Sequence, residues 1–408
     1  MFLANMYLSN RMNYITPSMT LSITAKANEL KAQGRDIVGF GAGEPDFDTP
    51  ENIKNAAIQA IRDGFTKYTP VGGIPELKKA IIEKYEKEYQ LSYNIKQVIV
   101  SVGGKQVLFN LFFAIINPGD EVIIFSPYWV SYIDIVQFAG GKAVIIPTKS
   151  ENQFLPDVEA LKKAITPKTK AIIINSPSNP TGSYYPEDLL KEIAKILKEY
   201  SNIIIVTDDI YEKLLYDGLT FKNILSVDPS LKNRTIIVNG VSKTYSMTGW
   251  RIGYGLGPEE IIQAMDTIQG QSTSNPTSIA QKAALEAIRG DQSFLEHFRK
   301  VFTERRDLIF RILDSIDHVK VYKPSGAFYI FPDLSEIFLM DNFQKLKQKD
   351  EPNSMAFSRV LLEKYNVAVI PGIAFGDDNC IRLSYAINED QIRKGVERIG
   401  NFIHDIIR

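Results

Sequence analysis

The chain has 408 residues, with 47 Lys and Arg against 48 Asp and Glu, three histidines and one cysteine. Such a length builds more than one core, and the balanced charge excludes a nucleic-acid binder that works by displacing counterions from phosphates. Lone Cys380 excludes a disulfide framework and a cysteine-rich zinc site, and His297, His318 and His404 are too scattered for a histidine metal site and leave few candidates for a histidine triad. No run is long and apolar enough to span a bilayer, and residues 1–8 lack the basic start and continuous apolar stretch of a leader, so the expectation is a soluble, cytoplasmic chain.

In chain order, the first punctuated stretch is Gly39-Phe40-Gly41-Ala42-Gly43. It begins like a dinucleotide fingerprint, but Glu44 stands where the last glycine should be, and Pro45 follows where a helix should open. Seven short apolar runs follow, at 97–101, 121–125, 143–147, 171–175, 202–207, 234–239 and 252–256. Most are nearly continuous Ile and Val, as expected of strands buried on both faces. Amphipathic stretches such as 186–199 lie between several of them and carry helical spacing. This βαβ pattern predicts an α/β fold with a mainly parallel seven-stranded sheet flanked by helices, its ligands beyond the carboxyl ends of the strands. Further on, 305–316, 354–365 and 389–407 read as helices, and 367–370 and 380–385 as strands. The runs 319–322 and 327–331 read as a hairpin around Pro324-Ser325-Gly326, and 344–351 as an exposed loop or helix end. The expected division is a large α/β domain over 50–300 and a smaller α+β domain built from 1–49 and 301–408.

Two further glycine pairs fail as phosphate loops. Gly103-Gly104-Lys105-Gln106 lacks the required first glycine, with Ile99 in its place, and Gln106 is not Ser or Thr; Gly140-Gly141-Lys142-Ala143 fails likewise. Three other segments carry chemistry. A strand runs into Asn239-Gly240-Val241-Ser242-Lys243, and Arg251 follows. Another ends in Asp208-Asp209-Ile210-Tyr211, and a third enters Asn175-Ser176-Pro177-Ser178-Asn179-Pro180-Thr181-Gly182. Singly, each has an ordinary role: a surface cation, a helix cap, a core phenol, a turn amide. Together, at one predicted sheet edge, they assemble an amine, a carboxylate, a phenol, an amide and a guanidinium. Lysine can attack a carbonyl, and arginine grips phosphate in a planar fork.

Ser-x-x-Asn-Pro-x-Gly, Asp-x-x-Tyr and Ser-Lys-x-x-x-x-x-Gly-x-Arg, in that order, resemble the pyridoxal-phosphate-dependent aminotransferases of fold type I, class I, most of all the prokaryotic aspartate aminotransferases. The resemblance runs from Ala42-Gly43-Glu44-Pro45 to Ile381-Arg382-Leu383-Ser384-Tyr385, most of the chain. It implies a ping-pong aminotransferase using pyridoxal 5'-phosphate, with Lys243 as the Schiff-base lysine and proton carrier. By the same resemblance, Asp208 pairs with the pyridine nitrogen, Tyr211 and Asn179 bond the ring oxygen, and Trp129 covers the ring. Gly103, Gly104, Lys105 and Arg251 hold the phosphate, Ser242 adjoins it, and Tyr68 reaches it from the neighbouring copy of a homodimer. Gly240 departs from the serine that many relatives carry there. Arg382 takes the substrate α-carboxylate, with the Gly43 backbone, Trp129 and Asn179 beside it. No arginine precedes Ser274-Asn275-Pro276, so Lys105 is the candidate for the distal carboxylate of an acidic substrate. The implied reaction is aspartate:2-oxoglutarate transamination. An aromatic, prephenate or broad-range aminotransferase, or a lyase on the same fold, stays open. For prephenate, a lysine is expected next to the N-terminal Pro17-Ser18, where Ile15-Thr16 stand; a cation precedes only the later Pro-Ser-Gly, at Lys323.

Overall fold

A computed structural model describes residues 8–408. Residues 1–7, most of the segment read above for a leader, lie outside the described residues. The strands are β1 (Val38–Gly39), β2 (Val98–Ser101), β3 (Glu121–Ser126), β4 (Lys142–Pro147), β5 (Thr169–Asn175), β6 (Ile204–Asp208), β7 (Thr235–Gly240), β8 (Gly253–Leu256), β9 (Tyr329–Ile330), β10 (Val367–Ala368), β11 (Ile370–Pro371) and β12 (Ile381–Ser384). Seven of them form one sheet in the order β2-β8-β7-β6-β5-β3-β4. Within this sheet of the described residues, β8 alone runs against the direction of the other six strands. The fold is thus the mainly parallel α/β architecture expected.

The continuous apolar runs have a direct cause. Successive residues of a strand point to opposite faces, and here both faces are covered. Ile123, Ile172, Ile174, Ile205 and Ile237 pack on one side with Leu190, Ile193 and Leu197 of the Glu187–Lys198 helix. Val122, Ile124, Ile173, Val206 and Ile236 pack on the other with Val107, Leu111 and Phe112 of the Gly104–Ile115 helix.

A third core joins the chain ends. Val38 and Phe40 lie among Phe302, Tyr329, Phe357, Leu383, Val396 and Phe402, and β1 pairs in parallel with β10. The helix read from 305 begins at Phe294 and runs unbroken to Asp314, through the boundary expected at 300. Its early turns are stabilised by an aromatic stripe: Phe298 stacks on Phe47 at 4.0 Å, and Phe302 meets both Phe47 and Phe328. The expected hairpin shrinks to one bridge, Lys320 to Asp333. The intervening chain bonds elsewhere, with the Ser325 and Gly326 N–H groups both donating to the Gly182 carbonyl. The 367–370 strand is split, because β10 pairs with β1 while β11 pairs with β12. Among the described residues, no helix is long and apolar enough to cross a membrane.

Candidate active site

Parallel register puts Asn175 beside Asp208 at the carboxyl edge of the sheet, and Asp208 beside Val238, just before the turn that carries Lys243. A cavity of about 440 Å³ opens there, between this edge and the third core, with Lys243, Asp208, Tyr211, Asn179, Arg251 and Arg382 in its walls.

Lys243 Nζ donates to the Gly43 carbonyl. Burial lowers its pKa to about 8; the Glu44 carboxylate opposes this, while the Arg382 and Arg251 guanidiniums add to it. About a tenth of the amine is therefore free at pH 7, and half at pH near 8. Asp208 lies in the same cavity. Its Oδ2 accepts from the Tyr132 hydroxyl at 2.7 Å and its Oδ1 from the Ile210 N–H at 3.3 Å. Burial pushes its carboxyl up to about 6, against those two hydrogen bonds and the Lys243 charge.

The loop after β6 is pinned at almost every side chain. Asp209 accepts from Thr207 at 2.6 Å and from Asn223 at 2.7 Å. The Tyr211 hydroxyl pairs with that of Tyr329 at 2.9 Å. Glu212 is buried against the Lys84 ammonium at 2.6 Å, and Lys213 pairs with Glu88 at 2.6 Å. Removing one member of a buried ion pair strands the other charge, so this loop is costly to displace.

Arg382, on β12, is 3% exposed. It donates to Asn179 Oδ1 at 3.1 Å and to the Gly41 carbonyl at 2.8 Å, flanked by the Tyr329 and Phe375 rings. Among the described residues, its Nε is buried without a partner. Such a donor is costly unless a ligand oxygen meets it. At the opposite wall, Gly103 caps the Gly104–Ile115 helix with φ +82°. A Cβ there would come within 2.4 Å of Arg251 Nη2. The N–H groups that open this helix and the Arg251 fork together make an anion cradle. Gly103→Ala is expected to weaken any binding of inorganic phosphate at this cradle about tenfold or more, through the strained φ and the displaced guanidinium, as measured by titrating the protein with phosphate.

The remaining candidates are placed as follows. Gly104, Ser242 and Gly43 border the cavity. Lys105 Nζ sits 5.2 Å over the Trp129 ring in its wall. Burial and the Arg251 charge lower the Lys105 pKa. Gly240 is closely packed, and a Cβ there would stand 3.0 Å from the Ile252 carbonyl and 3.1 Å from Gly253 Cα, so a serine would need these neighbours to shift by a few tenths of an ångström. Tyr68 is 92% exposed and outside the cavity. Lys323 is also outside it, paired with Asp307 at 3.0 Å. Sequence reasoning missed Tyr132, Tyr329, Glu44, and the Thr20, Leu21 and Thr24 wall of the Met19–Ala32 helix. Tyr132 had one available signal: it lies three residues after Trp129, at the start of a helix. Among the described residues, no cluster of His, Cys, Asp or Glu is arranged to hold a metal ion.

The family described as "Aminotransferase class I and II" matches residues 35–399, and the chain belongs to it. It is 51% identical over 396 residues to the aspartate aminotransferase of Bacillus sp. (strain YM-2), covering 97% of this chain and 99% of that one. It is 50% identical over 398 residues to the aspartate/prephenate aminotransferase of Nitrosomonas europaea, covering 98% and 100%. Its fold is similar to crystal structures of the Rhizobium meliloti aspartate aminotransferase (TM-score 0.92, 42% identity, 98% and 99% covered). It is also similar to that of Thermus thermophilus with maleate (TM-score 0.88, 46% identity, 97% and 99% covered).

Proposed function

We propose that this protein transfers the amino group of aspartate to 2-oxoglutarate in two half-reactions, with pyridoxal 5'-phosphate held in the cavity. The observation that carries the proposal is a lysine amine of pKa about 8 and a buried carboxylate sharing a cavity with two separate anion receptors. The donor set fits the cofactor. The backbone N–H groups of Gly103, Gly104 and Lys105 and the Arg251 guanidinium, with Ser242 alongside, would take its phosphate, and Asp208 its pyridine nitrogen. Tyr211 and Asn179 would take its ring oxygen, and Trp129 would cover its ring. When bound, it supplies the reactive carbonyl and the sink for the electrons of the α-carbon.

This chain's residues supply the rest. Arg382 grips the substrate α-carboxylate, using the Nε that otherwise lacks a partner, with Gly43, Trp129 and Asn179 beside it. Lys243 Nζ takes the proton from the α-carbon and returns it close by, which is general acid–base work that a lysine of lowered pKa can do. Asp208, kept anionic, holds the pyridine nitrogen in its protonated form. Tyr68 would serve the phosphate of a neighbouring copy. Its exposure supports this, as does Gln269, whose amide ties Val71, in the segment just after Tyr68, to Val100 through bonds of 2.7 and 2.8 Å.

The acidic side chain needs its own cation, and Lys105 is the lysine in the cavity wall beside Trp129. The Thermus relative bound with maleate, a dicarboxylate, supports a substrate with two acidic ends. Lys105→Ser is expected to lower kcat/KM for aspartate about 10- to 100-fold while sparing alanine, the value of one charge-assisted hydrogen bond. Unchanged aspartate kinetics would remove Lys105 from this role. The name of the Nitrosomonas relative favours a second reading in which prephenate is also accepted, although Thr16 stands where a lysine is expected.

The testing experiment adds pyridoxal phosphate to the apoprotein, follows the visible spectrum, and then presents amino acids one at a time. A spectral change with aspartate, reversed by 2-oxoglutarate, is expected. No visible band at all would overturn the proposal, and a response to aromatic amino acids alone would replace aspartate as the substrate.

A further inference from the structure

We propose that Tyr132 is a positioning residue: its hydroxyl keeps the Asp208 carboxylate ionised and turns one of its oxygens toward the bound ligand. The inference rests on the reading that Asp208 meets the pyridine nitrogen of the cofactor.

A carboxylate removed from water stays charged only where donors or cations replace the solvent. Asp208 has few. The Ile210 N–H is long at 3.3 Å, and the Asn175 amide donates to the Asp208 backbone carbonyl rather than to the side chain. The Tyr132 contact, at 2.7 Å between two buried groups, is the strong one. Tyr132 is fixed in turn. It sits in the first turn of the Ser131–Phe138 helix, 2% exposed, with its ring edge-on to Trp129 at 5.3 Å and 83°. Burial and the neighbouring Asp208 charge push its own ionisation well up, so the phenol remains a donor.

The charged and titratable groups facing Asp208 come from several elements. Lys243, from the turn after β7, favours its charge. Asp209, next in the chain, is a buried acid whose anion would oppose it. Tyr211 and Tyr132 face it as neutral phenols. Among these, Tyr132 alone bonds Oδ2. That contact leaves Oδ1 as the oxygen for an incoming N–H. Without it, Asp208 takes up a proton in the neutral range, the charged partner is lost, and the carboxyl is free to rotate.

The test measures the dissociation constant of pyridoxal phosphate from the apoprotein between about pH 5 and 9, by visible absorbance, in a double-mutant cycle. The four proteins are the wild type, Tyr132→Phe, Asp208→Asn and the double variant. Tyr132→Phe removes one oxygen and keeps the ring packing, and melting of each apoprotein checks the fold. Wild-type affinity should fall as pH drops through the Asp208 titration. In Tyr132→Phe this fall should move up by about one pH unit or more, giving roughly tenfold weaker binding on the acid limb and about twofold or more at neutral pH. Any limb from Lys243 is common to all four proteins. In the Asp208→Asn background, Tyr132→Phe should change nothing. Superimposable wild-type and Tyr132→Phe curves would overturn the inference, as would a shift that persists without Asp208. A wild-type protein that binds no pyridoxal phosphate would overturn the functional reading beneath it, a separate and recognisable outcome.

Discussion

Lys243→Ala is expected to lower aspartate turnover by about 10⁴-fold or more and to abolish the visible band formed with pyridoxal phosphate. On the proposed reading two functions leave with one amine, the nucleophile toward the cofactor and the carrier of the α-proton. No histidine replaces it. His318 pairs with Glu336, His297 packs by Phe47, His404 lies in the last helix, and none of the three lines the cavity. The fold should survive, because the variant removes an ammonium that is costly to bury. A circular-dichroism melt near that of the wild-type apoprotein, beside lost turnover, is the expected pair of results. Retained turnover would remove Lys243 from the chemistry. The amine also sets a pH dependence. With its pKa lowered to about 8, the free-amine fraction grows as pH rises through that value. Reaction of the wild-type apoprotein with pyridoxal phosphate should therefore accelerate from neutral to alkaline pH, and a flat rate in stopped-flow measurements would contradict this account.

Arg382→Lys is expected to reduce kcat/KM about 100- to 1,000-fold for aspartate and 2-oxoglutarate, and equally for any other accepted amino acid. One guanidinium bonds Asn179 and Gly41 and still keeps Nε for a ligand. An ammonium has no planar fork to satisfy that set. The breadth of the defect separates it from Lys105→Ser, which should discriminate against acidic side chains alone. A defect in Arg382→Lys restricted to aspartate would exchange the two assignments.

The strands were legible because each is buried on both faces and therefore reads as an unbroken Ile and Val run. Lys243, Asp208 and Asn179 were legible because parallel strands deliver their carboxyl ends to one edge, where polar residues after an apolar run stand out. Tyr132 and Tyr329 were not. A tyrosine in an amphipathic helix or a buried strand has the pattern of a core residue, and only the partner of its hydroxyl separates the two roles. Leu21 and Thr24 were missed for a related reason, since nothing local marks the Met19–Ala32 helix as the wall of a cavity formed some 200 residues later. The hairpin at 319–331 was overread because Ser325 and Gly326 bond to Gly182, a partner no local pattern reveals. Gly240 departs from the serine expected there, and the nearness of Ile252 and Gly253 makes that position tight.

The cavity has walls held to unequal degrees. On the sheet side, the Asp208 loop is held by side chains from widely separated parts of the chain, so few substitutions there would leave its alignment intact. On the other side, Leu21 of the Met19–Ala32 helix is 69% exposed. Substitutions there change the shape of the opening without unpinning anything beneath it. The fold thus separates what must be inherited unchanged from what can drift. Variants of this sequence can exchange one side chain for another at the rim while the Asp208 loop stays as it was.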